Sequence, residues 1–375
     1  MENKKKRVGI VTIHMINNYG AVLQAYALNY YLNALGFDAE TIDFRTYRVA
    51  MSYKYFMRPM KHPMNIIRNI DTLIHLRKLK CRNERVKGFI NDNIRLSKDV
   101  YYSNADLAKA DLDYDYYICG SDQIWNTFCK NYDDAFLLAF AKDKGVRLSY
   151  AASMGMSSVH PDLVSKFHEE LSDFSALSVR EQNAVDVISS ISGKETVQVM
   201  DPVFLLSSEQ WQKVMRDDKK IKKPYIFFYS VHGGSSEMRD YVKSVSKRYK
   251  LPVVVVDKNL REWLYPNIKR YDAGPAEFIS LLGGAKYVFT NSFHGSALSI
   301  ILKKSFQVFV HGTPEQGTAS RIYSLMDTLG LADRIVFREG DPESMGKEID
   351  WTAVESKLSP MIKFSKAFLD GAMRP

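Results

Sequence analysis

The sequence predicts an α/β protein built from two doubly wound, Rossmann-like domains with a cleft between them, the first carrying a basic helical insertion. Three observations predict it. At 375 residues the chain is too long for one ordinary core, and two domains are expected. Short apolar, β-branched runs alternate with stretches of helical spacing, the pattern of parallel strands joined by crossover helices. Hydrophobic residues at 46% and charged residues at 25% are globular values, enough to bury two cores.

Taken in order, Val8-GIVTIH reads as a buried strand and Asn17-Asn18-Tyr19-Gly20 as a polar turn. AVLQAYALNYYLNALG then has helical spacing with Gly36 as its stop, and FDAETIDF supplies a second strand. A basic, helical insertion over about 45–100 interrupts this βαβ opening. The pattern resumes with the strand Tyr114-DYYICG, a helix after Gly120, the strand VRLSYAASMG, a helix near 161–173 and the strand ALSVRE. QVMDPVFLL closes a first domain at 1–206, and the polar stretch 207–223 is a boundary. A second domain over 224–345 begins at Pro224-YIFFYSV. It continues with a helix near 235–249, LPVVVVDK, a helix over 275–284, Lys286-YVFTNSFHG, the helix SALSIILKK, SFQVFV and the helix SRIYSLMDTLGL. Residues 346–375 read as a helical tail.

In such sheets ligands bind beyond the carboxyl ends of the strands, where loops enter helix N-termini. Four junctions qualify. In His14-MINNYG, Asn18 and Gly20 offer a cap and close backbone approach for an acceptor or phosphate group; an ordinary turn is the plainer reading. In Cys119-Gly120-Ser121-Asp122, Ser121 or Asp122 reads as a helix cap, and Asp122 alternatively as a general base. In Ser292-Phe293-His294-Gly295-Ser296, His294 falls in the first turn of a helix, beside small residues that clear space, and its titration range suits an acid or base. Arg180 in SVRE could grip a carboxylate or phosphate through two parallel hydrogen bonds, or simply pair with Glu181 or another acid. Arg321, opening the SRIYSL helix, is a further cationic candidate.

The charge is local. Residues 45–98 hold 14 Lys and Arg against three acids (Asp71, Glu84, Asp92), a net of +11, so the rest of the chain sums to −2. This fits a solvated helical face, but charges interleave with apolar side chains, as in IIRNIDTLIHLRKLK, which suits peripheral contact with an anionic membrane surface or a lipid-diphosphate acceptor. No nucleic-acid-binding module is present. Three cysteines, none in a CxxC, argue against a disulfide framework or zinc site, and Cys119 reads as a small buried hydrophobe. No metal-ligand spacing, Walker loop or nucleophile elbow occurs, which favours a metal-independent reaction. Lys4-Lys5-Lys6-Arg7 precedes only the short VGIVTI, and no apolar run approaches a membrane span. A cytoplasmic protein is expected, with the basic segment able to place it at the inner face of the membrane. Aromatics at 12% suit a cleft that handles sugars.

Together NNYGAVLQAYAL, ICGSDQIWN, SYAASMG, SVRE, MDPVFLL and TNSFHGSALSIIL, in this order between about residues 8 and 325, resemble the polysaccharide pyruvyl transferase family. The basic segment and the stretch after about 340 lie outside the resemblance. It implies a glycosyltransferase-B-like fold and transfer of the enolpyruvyl carbons of phosphoenolpyruvate onto two hydroxyls of a sugar, giving a cyclic ketal and phosphate. The partners implied are a small anionic donor and an oligosaccharide acceptor, lipid-linked if the basic segment meets a membrane. No cofactor is implied beyond the donor substrate. By position the family's FHG histidine is His294 and its V-R-[DE] arginine is Arg180. Beside them, Ser292, Gly295, Ser296 and Arg321 are read around the donor, Asn18, Gly20, Gly120 and Ser121 as an acceptor or phosphate loop, and Asp122 as a residue that could take the acceptor's proton. Some members carry Arg two residues before the motif His, where this chain has Ser292, so one donor-gripping charge is missing unless Arg321 or a residue of the basic segment replaces it, and with it the donor could differ.

The main rival is a nucleotide-sugar glycosyltransferase, since EFISLLGGAKYVFTNSFHG resembles the donor half of such enzymes. Many of these place a glutamate after the loop to hold the ribose, and His294-GSALSIILKK contains no acid. A third reading is a non-catalytic docking protein, which replacement of His294 should leave unharmed.

Overall fold

A computed structural model describes residues 5–46, 53–56, 64–129, 132–216, 221–231, 234–256, 267–310, 319–336 and 345–373. In the first half, β1 (Arg7–Val11), β2 (Asp38–Phe44), β3 (Leu96–Tyr101), β4 (Tyr116–Cys119) and β5 (Val146–Ser149) form a sheet of order β3-β2-β1-β4-β5. All its pairings are parallel. β6 (Leu177–Val179) and β7 (Thr196–Gln198) pair with each other, and the bridges Leu148–Ala176 and Ala152–Val179 carry them onto the β5 edge. In the second half, β8 (Ile226–Tyr229), β9 (Val253–Val255), β10 (Asn267–Lys269), β11 (Tyr287–Thr290), β12 (Ser305–Phe309) and β13 (Ile335–Val336) form an all-parallel sheet of order β10-β9-β8-β11-β12-β13. Both halves wind alike: the chain steps outward from a central strand, β1 or β8, then returns to its other side. The two resulting switch points, β1/β4 and β8/β11, set the strand ends where ligands bind in open α/β sheets. This is the expected pair of Rossmann-like units with a cleft, a glycosyltransferase-B-like arrangement.

The central strands are buried on both faces, so they read as unbroken apolar runs: YYIC in β4 and IFFY in β8 are buried throughout. Helix α1 (Tyr19–Ala34) is capped by Asn18, whose side chain accepts from Ala21 N. The chain leaves α1 through Gly36 at φ 98°. Tyr19, in the first turn, donates its hydroxyl to Ala273 O at 2.8 Å and stacks on Phe278 with ring centroids 4.3 Å apart, joining the two halves.

Two expectations change. No helix follows Gly120: residues 121–129 are turns. Gly120 at φ 125° and Asp122 at φ 62° both bend the chain through the left-handed region. The QIW stretch is instead pinned as a loop, with Trp125 fully buried and its Nε1 donating to Phe136 O at 3.0 Å. The basic insertion is largely one 30-residue helix, α2 (Met64–Asn93), and its last residues open the edge strand β3; residues 47–52 and 57–63 of it lie outside the described residues.

Shorter helices complete the crossovers: α3 (Asn104–Lys109), α4 (Val164–Leu171), α5 (Gln182–Ser192) and α6 (Ser208–Lys213) in the first half. The second half adds α7 (Ser236–Tyr249), α8 (Pro275–Gly283), α9 (Phe293–Ile301) and α10 (Ala319–Leu329). The stretch read as a tail is α11 (Trp351–Met373), which returns to the first half, burying Leu369 and Met373 in the same core as Val203 and Phe204. Among the described residues no helix is long and apolar enough to cross a membrane.

Candidate functional site

Between the two halves lies a cavity of about 470 Å³. Asn18, Asp122 and Gln123 line it from the first half, and Ser292, His294 and Arg321 from the second. Every one follows a strand end or opens a helix.

Behind this wall sits Asp201, fully buried, just after β7 and capping the turn Pro202–Leu205 through Val203 N. Its Oδ2 accepts from Arg180 Nη1 at 2.6 Å and from Ser121 Oγ at 3.1 Å. From the other half, His294 Nε2 approaches the same oxygen to 3.4 Å, an ion-pair distance without the alignment of a hydrogen bond. Burial alone would raise the Asp201 carboxyl, but His294 and Arg180 outweigh it and hold the group well below the usual carboxylate range. Asp201 therefore stays an anion and anchors side chains from both halves.

Arg180 follows β6. Its Nε lies 3.3 Å from Glu181 Oε1, and its guanidinium sits 4.6 Å over the Phe293 ring. Glu181 Oε1 also accepts from Ser153 Oγ. Burial would lower the Arg180 pKa, yet the charges of Glu181, Asp201 and Asp122 raise it. Arg321, near the start of α10, lies 6.0 Å from the same phenyl ring, with Nε 4.0 Å from Glu181 Oε1. Burial and the like charge of Arg180 push it down to about 10. Four atoms here are buried without a hydrogen-bond partner: Arg180 Nη2, Arg321 Nε, His294 Nε2 and Glu181 Oε2. Buried polar groups are normally satisfied, so three unmet side-chain nitrogens and one unmet carboxylate oxygen beside a cleft set this cluster apart. The N-terminus of α9 adds its dipole on the same side, with Ser292 Oγ capping Gly295 N at 3.3 Å.

Of the remaining sequence candidates, all but Asn18 build the wall rather than line it. Asn18 caps α1 and reaches the cavity, but Gly20 is packed under His294: a Cβ there would fall 2.2 Å from Nδ1. Gly120 lets β4 close on β5, since a Cβ would lie 2.0 Å from Tyr150 O. Ser121 is fully buried, spending its hydroxyl on Asp201 and its N–H on Gln24 Oε1 at 3.1 Å. Gly295 packs on Thr290, and Ser296 Oγ turns back to Ser292 O at 3.0 Å. Asp122, Ser292, His294 and Arg321 reach the cavity, whereas Arg180 reaches the cluster through Asp201 and Phe293. Sequence reasoning did not single out Asp201, Glu181 or Phe293 as site residues. The signal for Asp201 was a carboxylate ending the apolar run of QVMDPVFLL, and Glu181 was visible only as a neighbour of Arg180. Among the described residues no cluster of three or more His, Cys, Asp or Glu is placed to hold a metal ion.

Fold and site together define a two-domain α/β cleft protein whose central cavity is backed by buried Arg, His and Asp side chains. The chain belongs to the polysaccharide pyruvyl transferase family, whose model matches residues 18–312, most of its length. Solved structures similar to it include a putative UDP-N-acetylglucosamine 2-epimerase from Listeria monocytogenes (11% identity, 96% of this chain and 91% of that chain covered, TM-score 0.48). The UDP-GlcNAc 2-epimerase from Methanocaldococcus jannaschii is another (12% identity, 94% and 92% covered, TM-score 0.47). A third is Arabidopsis thaliana UGT89C1 complexed with UDP-L-rhamnose (10% identity, 99% and 95% covered, TM-score 0.41). No curated protein matches the chain in sequence.

Proposed function

We propose that the protein transfers the pyruvyl carbons of phosphoenolpyruvate onto two hydroxyls of a saccharide, forming a cyclic ketal and releasing phosphate. The observation that carries this reading is the set of unsatisfied nitrogens on Arg180, Arg321 and His294 beside one cleft. A donor with both a carboxylate and a phosphate calls for two guanidiniums and a helix N-terminus. Arg321 supplies the cation that Ser292 lacks, and an anion against it relieves its repulsion from Arg180.

In the reaction the donor's methylene takes a proton and becomes a methyl group, leaving C2 electrophilic. One acceptor hydroxyl adds to C2, phosphate leaves, and the second hydroxyl closes the ketal. Of the two hydroxyl protons lost, one balances that taken up by the methylene and the other leaves with phosphate. In this reading His294, which lines the cavity beside Asp201, gives the methylene its proton, and Asp122, which lines the same cavity, takes an acceptor proton.

A thermal-shift comparison tests the donor. A ligand at 100 times its dissociation constant stabilises the native state by about 2.7 kcal/mol, enough to read easily. Phosphoenolpyruvate should stabilise the wild type and lose most of its effect with His294→Ala or Arg180→Gln, while nucleotide sugars should not. Stabilisation by a nucleotide sugar alone would replace this reading with glycosyl transfer.

A further inference from the structure

Helix α2 divides into two unlike parts. Its C-terminal part is packed: Val86, Phe89 and Ile90 are buried, Arg82 sits 4.5 Å over the Tyr19 ring, and Arg85 pairs with Asp272 at 3.4 Å. Its N-terminal part turns Asn65, Asp71 and Thr72 inward and leaves Ile66, Ile67, Ile70, Leu73 and Ile74 outward, each 53–64% exposed. At 100° per residue these five fall within about a third of the helix circumference, one continuous stripe. Of the eleven exposed large hydrophobic side chains among the described residues, five fall within these nine positions, so the stripe is a patch and not background. Arg68, Arg77, Lys78 and Lys80 are exposed along the same stretch.

We infer that this face of α2 docks on an anionic phospholipid bilayer, the aliphatic side chains entering the headgroup–acyl boundary and the cations meeting the lipid phosphates. Charge complementarity selects the occupant. Along the face, Arg68, Arg77, Lys78 and Lys80 are exposed against one acid, the buried Asp71, so two copies of the face repel each other. A nucleic acid would neutralise the cations but gives five aliphatic side chains nothing to enter. An apolar stripe flanked by Lys and Arg on a helix too polar to span is the pattern of an in-plane membrane helix.

The packed part of α2 connects this face to the cleft. Asn83 accepts a hydrogen bond from Asn17 Nδ2 at 2.7 Å, and the next residue, Asn18, lines the cavity. From Ile74 to Asn83 the helix rises only about 14 Å. Docking therefore holds the rim of the site within reach of a saccharide carried on a lipid. The docking itself does not depend on which donor the cleft takes.

Vesicle co-sedimentation of the full chain tests it. The wild type should bind vesicles of equal phosphatidylcholine and phosphatidylglycerol, release with added salt, and ignore pure phosphatidylcholine. The triple variant Ile70→Ser, Leu73→Ser, Ile74→Ser should bind at least ~10-fold less, from the lost apolar burial. Arg77→Glu with Lys80→Glu, which leaves the stripe intact, should also weaken binding. Unchanged melting temperature and unchanged stabilisation by phosphoenolpyruvate show that fold and site survive the changes. Wild type that ignores anionic vesicles, or a triple variant that binds as well as wild type, overturns the proposal. So does a triple variant that converts a dimer to a monomer on a sizing column, because the face would then belong to a second copy. Donor binding is read on the same proteins, so its failure would count against pyruvyl transfer and leave the docking result standing.

Discussion

The first half of the molecule contains two buried clusters of the same three residue types, His14–Asp43–Arg45 and, with its histidine lent by the second half, His294–Asp201–Arg180. In both, burial tends to raise a carboxyl whose His and Arg neighbours pull it down further. They differ in what is left over. His14 spends both ring nitrogens, on Thr12 O at 3.1 Å and Asp43 Oδ1 at 3.2 Å, and Arg45 grips Asp43 with Nε at 2.8 Å and Nη2 at 2.7 Å. His294 Nε2 and Arg180 Nη2 have no hydrogen-bond partner, and their cluster backs onto a cleft. Residue type therefore does not separate a brace from a site; the unspent donor does.

The sharpest break between them is Arg180→Gln against Asp43→Asn. Loss of the Arg180 charge should lower donor-dependent phosphate release by about 10²–10³-fold, the scale of a lost preorganised donor. Asp43→Asn should leave that rate within a few-fold of wild type. A similar activity loss in both would erase the distinction.

Asp43→Asn should instead cost stability, and the sign with pH is fixed. The Asp43 carboxyl titrates at about 2 in the fold, against ~3.9 in an unfolded chain. Its ionised form thus contributes about 2 kcal/mol above pH ~4, and the contribution is lost as pH falls toward 2. Denaturant midpoints between pH 6 and 3 should fall in the wild type and fall less in the variant. An equal fall in both would mean that other carboxylates dominate acid unfolding.

The smallest expected effect is at Arg321. Arg321→Lys keeps the charge but loses the planar fork, and should weaken phosphoenolpyruvate binding by about tenfold without moving the melting temperature. No change in donor affinity would place Arg321 outside the donor site.

Central strands were legible because buried parallel strands are unbroken apolar runs, as in YIFFY and KYVFT. The edge strands β7, β10 and β13 have only two or three residues each, too few to show a period. Cap-rich GSDQIW imitates a helix start, and only the long-range burial of Trp125 and the left-handed Asp122 make it a loop. At the site, His294 and Arg180 could be read from their places at strand ends. Asp201 could not, because Arg180 and Ser121 reach it only through the folding of the first half and His294 only once the second half is docked.

Helix α11 adds a matter of timing. Met200 N, one residue before Asp201, donates to Ser365 Oγ at 2.9 Å, 165 positions later. Chains fold from the N-terminus as they are synthesised. The first half emerges with this N–H left to water, and only a segment made after the whole second sheet can take its place. The ribosome thus delivers late the segment that closes over the backbone beside Asp201, after both sheets have been made.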